Sequence, residues 1–301
     1  MARATFRGKV AVVTGAGSGI GRALSHGLAE RGARLALSDI DEGSLAETGR
    51  HCQQIGADVH LRVLDVRERK AMLEYADEVA EHFGRVNIVI NNAGVGSPGT
   101  TVADTDWDTF EFVLGVNLWG VIHGTKAFLP HLIASGEGHV VNISSLNGYM
   151  GQTRLSPYCA SKFAVRGFTE SLRQELELDK APVKVSVVHP GGVATNIATA
   201  TLMHARRRGL EVTPDDEARA QFYSETLLRK PAADAARIIL DGMAAGRPRI
   251  RVGWDAVLID ALVRLAPSRY PSLVAAWVRR ADSRARERMR NLGDTNQAKV
   301  T

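Results

Sequence analysis

What most constrains this chain is a repeated change of period. Short runs rich in β-branched residues alternate with longer segments whose apolar residues recur at helical spacing. The runs are KVAVVT (9–14), RLALSD (34–39), DVHLRVL (58–64), VNIVIN (86–91), HVVNIS (139–144), VKVSVVH (183–189) and the shorter RIRV (249–252). They are nearly continuous apolar stretches rather than alternating ones, as strands are when helices cover both faces of a parallel sheet. Amphipathic segments at 20–31, 68–83, 105–134 and 157–179 lie between them. The pattern predicts an α/β fold: a Rossmann-like, doubly wound, mainly seven-stranded parallel sheet with helices on both faces and right-handed crossovers.

Residues 1–253 read as one catalytic domain. Within it, residues 195–230 carry no strand pattern and read as a helical flap, a cover for substrate. Residues 254–301 read as a helical C-terminal extension, split by Pro267 and Pro271 and ending in a polar tail. A hydrophobic content of 45% and a charged content of 24% suit a globular core of this size. The N-terminal sequence MARATFRGKV has no apolar signal region, and no uncharged apolar run of about 18 residues appears. Cys52 and Cys159 show no metal or redox spacing and point to a reducing, cytoplasmic setting. The nine histidines are scattered, so no catalytic metal is expected. The net charge of +5 is concentrated in the C-terminal third without a nucleic-acid motif, so no nucleic-acid partner is expected.

The first run ends in TGAGSGIGRAL, a glycine turn placed between a strand and a helix. Gly15, Gly19 and Gly21 let the backbone turn tightly and approach a pyrophosphate, whose charge a helix N-terminus favours. Asp39 closes the second strand, where a dinucleotide fold uses an acid to hold the adenosine ribose. Its carboxylate repels a 2′-phosphate, and Ile40 supplies no cation, which favours NAD. Arg22, just after the glycines, keeps NADP as the alternative. Asp41 reads as the cap of the next helix.

These motifs, with Asp65-Val66, NNAG (91–94), Asn117, Ser145, Tyr158-x-x-x-Lys162 and PGGVAT (190–195), occur in one order from about residue 8 to 253. In that order they resemble the short-chain dehydrogenases/reductases, in the branch with the T-G-x-x-x-G-x-G turn. The resemblance does not cover the last fifty residues. It implies cofactor contacts from Gly15, Ser18, Gly19, Ile20, Gly21, Asp39, Asp65, Val66, Asn92, Ala93, Gly94, Tyr158, Lys162, Pro190, Gly191, Val193 and Thr195. Asn91 is expected to brace neighbouring backbone.

The same resemblance implies a catalytic set of Asn117, Ser145, Tyr158 and Lys162. An isolated Y-x-x-x-K is an ordinary pair on one helix face; beside a cofactor loop it becomes an acid/base. Tyrosine titrates near 10, so a base role calls for positive neighbours: Lys162, the helix N-terminus at Ser156-Pro157, and an oxidised nicotinamide. Ser145 is to steady charge on the substrate oxygen, with Ser144 as its rival. Asn117 is to hold a water that relays protons from Lys162.

Leu146, Met150, Leu155, Val193, Ile197, Leu202 and Met203 make the expected substrate pocket apolar. The predicted function is hydride transfer between NAD and a hydrophobic secondary alcohol or ketone. The alternatives are an NADP-dependent carbonyl reductase and a non-catalytic nucleotide-binding scaffold. A homodimer or homotetramer is expected. The extension is read as packing on the domain or on a second subunit, or as a peripheral membrane contact beside Trp277.

Overall fold

A computed structural model of the chain describes residues 5–207, 209, 212–226 and 228–280. Among them, β1 (Val10–Thr14), β2 (Arg34–Asp39), β3 (Val59–Val63), β4 (Ile88–Asn91), β5 (Gly138–Ile143), β6 (Val183–Pro190) and β7 (Arg249–Val252) form one parallel sheet in the order β3-β2-β1-β4-β5-β6-β7. The order reverses between β1 and β4, the point at which open α/β sheets leave a crevice beyond their strand ends.

The strand pleat sorts side chains between two cores. Ala11 and Val13 of β1 face Leu24 and Leu28 of α1 (Gly19–Glu30) and Leu240 of α9 (Ala232–Ala244). Val10 and Val12 face Tyr75 of α3 (Arg69–Phe83), Phe128 of α5 (Gly120–Ala134) and Leu172 of α6 (Ser156–Leu178). α2 (Glu42–Gln54) is capped by Asp41, whose carboxylate accepts from Ser44 N at 2.7 Å. β3 differs from its reading as a buried strand: it is the sheet edge, and Val63 is 50% exposed because no strand follows it.

The helical region predicted over 105–134 is α4 (Trp107–Leu114) and α5 joined by a π-helical turn, Gly115–Trp119. Such turns inside helices are frequent at functional sites, and Asn117 lies in this one. By length and composition the stretch Trp107–Ala134 is apolar enough to cross a membrane; half of its most apolar window is buried inside the protein. α6 begins one residue earlier than predicted, with Ser156 already helical and Leu155 as its cap. The flap is helical: α7 (Ile197–Arg207) and α8 (Pro214–Thr226). Its two ends are joined by a parallel bridge between Val193 and Lys230. The extension gives α10 (Trp254–Leu265) and a further helix over residues 270–280. The arginine-rich tail beyond residue 280 lies outside the described residues.

Candidate active site

β1 ends at Thr14, and the chain turns through Gly15 at φ 64° before α1 begins. Asn92 Nδ2 donates to Thr14 O at 3.0 Å and Gly15 O at 3.1 Å. Thr14 Oγ1 accepts the N–H groups of Asn92 and Ala93, each at 3.1 Å. The glycine turn is thereby fastened to the end of β4. A Cβ on Gly15 would sit 2.7 Å from Ala93 Cα, and one on Gly21 would sit 1.9 Å from Gly15 O. Gly21 therefore serves the packing of helix on turn and does not line the cleft. Ser18 caps α1 without a side-chain hydrogen bond, and the first turn holds no acid. The N–H groups there are left to a negatively charged ligand.

The turn opens on a cavity of about 1380 Å³, larger than the ~300–1,000 Å³ usual for a single small ligand. Gly15, Ser18, Gly19, Ile20, Asp39, Asp65, Val66, Asn92, Ala93, Gly94, Ser145, Tyr158, Lys162, Pro190, Gly191, Val193 and Thr195 all line it. The sequence-predicted cofactor residues, Gly21 excepted, are thus gathered along one cleft whose size and anion-accepting helix end fit a dinucleotide.

Asp39 braces as well as faces this cleft. Its Oδ2 accepts from Gly17 N at 2.8 Å and its Oδ1 from Asp41 N at 3.0 Å. A carboxylate has about four lone-pair positions, so acceptor capacity remains for ribose hydroxyls. Arg22 is turned away from phosphate binding. Its Nη2 donates to Gly17 O at 2.6 Å and pairs with Glu47 at 2.8 Å. Asp65 does not cap α3, whose cap is Glu68. Instead Arg67 grips it, with Nη2 2.6 Å from Oδ2. Burial alone would raise the Asp65 carboxyl, but hydrogen bonds and charge from Arg67 hold it below its ordinary value.

Tyr158, near the start of α6, and Ser145, just past the end of β5, both line the cavity, and the Ser145 hydroxyl is close enough to favour the phenolate. Ser144 lines the same cavity, but its Oγ is committed as donor to Lys162 O at 2.8 Å, which leaves Ser145 as the better placed serine. Lys162 Nζ donates to Ile143 O at 3.1 Å and stands 5.7 Å from the centre of the Tyr158 ring.

The expected lowering of the phenol is not what the protein alone produces. Burial pushes Tyr158 up, and the nearby Ser145 hydroxyl only works against that. Burial also pushes Lys162 down, to about 8. In both groups the leading cause is desolvation of the charged form.

Asn117 stands behind the cleft wall. Its Oδ1 accepts from Val95 N at 2.8 Å, while its Nδ2 donates to Val95 O at 2.9 Å and Ser161 Oγ at 3.2 Å. With those bonds made, its side chain clamps the loop after β4. Asn91 likewise braces side chains, not backbone: Nδ2 donates to Thr125 Oγ1 and Asn142 Oδ1 at 3.0 and 2.8 Å.

The family model of the short chain dehydrogenases matches residues 9–205. The chain belongs to the short-chain dehydrogenases. An oxidoreductase of Mycobacterium tuberculosis, SadH, is 48% identical over 274 residues, covering 91% of this chain and 96% of that one. A short-chain dehydrogenase/reductase from Burkholderia phymatum, crystallised with NAD, superposes with a TM-score of 0.81 at 34% identity, covering 91% and 97% of the two chains. Carveol dehydrogenase from Mycobacterium avium, also in complex with NAD, superposes with a TM-score of 0.72 at 26% identity over 85% and 99%.

This short-chain dehydrogenase adds features that the sequence reading missed. His189 donates from Nδ1 to Ser145 O at 2.9 Å, and burial pushes its pKa down to about 4, so the ring is neutral near pH 7. It stacks on Tyr149 with centroids 3.9 Å apart. The alternation of β6 is the one sequence signal that could have turned His189 inward.

The extension does more than pack on the domain. Leu258, Leu262, Leu273, Val274 and Trp277 line the same cavity. Met150 forms a small core with Val274 and Val278. Of the expected pocket residues, Leu146, Met150, Leu155, Val193, Ile197 and Leu202 line the cavity. Met203 is absent from the lining and 54% exposed.

Proposed function

We propose that this short-chain dehydrogenase is an NAD-dependent enzyme that interconverts a hydrophobic secondary alcohol and its ketone, with Tyr158 as general acid/base. The observation that carries the reading is that Ser145, Tyr158 and Lys162 line one cavity where the glycine-turn cleft meets the apolar wall. Gly15, Ser18, Gly19 and Ile20 would hold the pyrophosphate, Asp39 the adenosine ribose, Lys162 the second ribose, and Val193 and Thr195 the nicotinamide end. When bound, oxidised nicotinamide supplies the hydride acceptor and an added positive charge beside the phenol. As phenolate, beside that charge, Tyr158 Oη takes the hydroxyl proton during oxidation; as phenol it gives a proton to the carbonyl oxygen during reduction. As burial leaves it, the phenol is protonated at neutral pH, the form suited to protonating a carbonyl. Ser145 Oγ donates to the substrate oxygen as charge develops there. Asn117 and His189 fix Val95 and Ser145 in place.

NAD is favoured over NADP by the Asp39 carboxylate in the cleft, by the engagement of Arg22 with Gly17 O and Glu47, and by the NAD found in the Burkholderia and Mycobacterium avium structures. The apolar substrate class is supported by Leu146, Met150, Leu155, Leu258, Val274 and Trp277 around the cavity; Arg154 and Lys230 also reach it. The test is turnover of a panel of hydrophobic secondary alcohols and ketones with each dinucleotide, with Tyr158→Phe alongside. Expected are NAD-linked activity, a fall of at least about 10²-fold in kcat for the variant, and unchanged dinucleotide binding. Full activity in Tyr158→Phe would remove the tyrosine mechanism; turnover of only small charged hydroxy acids would remove the substrate class.

A further inference from the structure

Pro190 and Gly191 are expected cofactor contacts, but Gly191 and the neighbouring Gly192 answer to another neighbour as well. Gly192 N donates to Asp255 Oδ2 at 2.7 Å. Asp255 belongs to the first turn of α10, in the extension, where an acid is favoured by the helix N-terminus. A Cβ on Gly191 would lie 2.1 Å from Asp255 Oδ2 and 2.2 Å from Oδ1. One on Gly253, which has a φ of 102°, would lie 2.2 Å from Oδ1. The carboxylate thus occupies a notch that two glycines keep open.

That notch is where three parts of the chain meet. Gly191 N donates to Val252 O at 2.9 Å, tying the loop to the end of β7. Gly192 O accepts from Lys230 N at 3.0 Å, and Ala194 N donates to Lys230 O at 2.8 Å, tying it to the far end of the flap. Val193 and Thr195 from this loop, Ile197 and Leu202 from the flap, and Leu258 and Leu262 from α10 all line the cavity. One side chain therefore sets the register between the loop after β6, the base of the flap and the extension wall.

We infer that Asp255 is a positioning residue of the oxidoreductase site: its carboxylate holds Gly192 N–H so that the loop carrying Val193 and Thr195 and the wall carrying Leu258 and Leu262 stay aligned. The inference rests on the reading of the cleft as a nicotinamide-dinucleotide site. It assigns to the extension a role in cofactor binding, through a residue outside the span matched by the family model.

The test measures NADH affinity by fluorescence titration, KM and kcat for an apolar alcohol, and melting temperature for Asp255→Ala, Asp255→Asn, Gly191→Ala and the Asp255→Ala/Gly191→Ala pair. Asp255→Ala is expected to weaken NADH on the order of tenfold, the size of one lost hydrogen bond to a charged group, with KM for the alcohol rising as well. Asn keeps an acceptor for Gly192 N–H and should restore affinity to within about threefold. Gly191→Ala should reproduce the Asp255→Ala defect, because its methyl expels the carboxylate. The pair should be no worse than either single change, since both remove one contact. A lower melting temperature with wild-type NADH affinity in folded Asp255→Ala would overturn the inference, as would additive losses in the pair. If the wild-type protein binds no NADH, the dinucleotide reading itself fails; if it binds and Asp255→Ala binds equally, only this inference does.

Discussion

Lys162 is 4% exposed, and burial pushes its pKa from 10.5 down to about 8. At about 1.36 kcal/mol per pKa unit, holding this ammonium in the fold costs roughly 3 kcal/mol at pH 7. Below pH 8 the folded and unfolded chains both keep the proton, and the full cost is present. Between pH 8 and 10.5 the folded chain releases it while the unfolded chain retains it, so the cost fades as pH rises. Lys162→Met removes the charge at similar length and loses the hydrogen bond to Ile143 O, worth about 1 kcal/mol. The variant should therefore be more stable than wild type by about 1–2 kcal/mol at pH 7. That advantage should vanish or reverse by about pH 10. Urea unfolding of both proteins without dinucleotide, followed by tryptophan fluorescence from pH 7 to 10, measures the difference; turnover of the variant should be lost throughout. A variant that is less stable at pH 7, or a difference that does not change with pH, would refute the claim that the buried lysine is kept at the expense of the fold.

Other changes probe the cleft separately. Asp39→Ser removes the acid that disfavours a 2′-phosphate, and the NADP-to-NAD ratio of kcat/KM should rise at least about tenfold; an unchanged ratio would show that Asp39 serves only Gly17 and Asp41. Gly21→Ala puts a methyl 1.9 Å from Gly15 O, where backbone must move. It should lower thermal stability and abolish dinucleotide binding together, whereas loss of binding at wild-type stability would place Gly21 on the ligand after all.

The sheet was legible because its signals are local. Nearly continuous apolar runs such as VNIVIN point to burial on both faces, and TGAGSGIG between a strand and a helix points to a turn onto that helix. The edge position of β3 was not legible, since VHLRV carries as many apolar residues as an inner strand. Nor could a helical period reveal that Gly115–Trp119 widens into a π turn around Asn117.

Order along the chain was enough to bring Ser145, Tyr158 and Lys162 forward as a group, because each motif marks the end of a strand or the start of a helix and the sheet places those ends side by side. Contacts between distant segments supplied the rest. Ser144 was separated from Ser145 by the Lys162 carbonyl, and Arg22 was taken out of phosphate binding by Glu47. The direction of the Tyr158 shift came from burial, which no window of sequence contains. Asp255 in the notch of Gly191 joins residues far apart in the chain, and its role arises from a hydrogen bond that exists only once β6, β7 and α10 have come together.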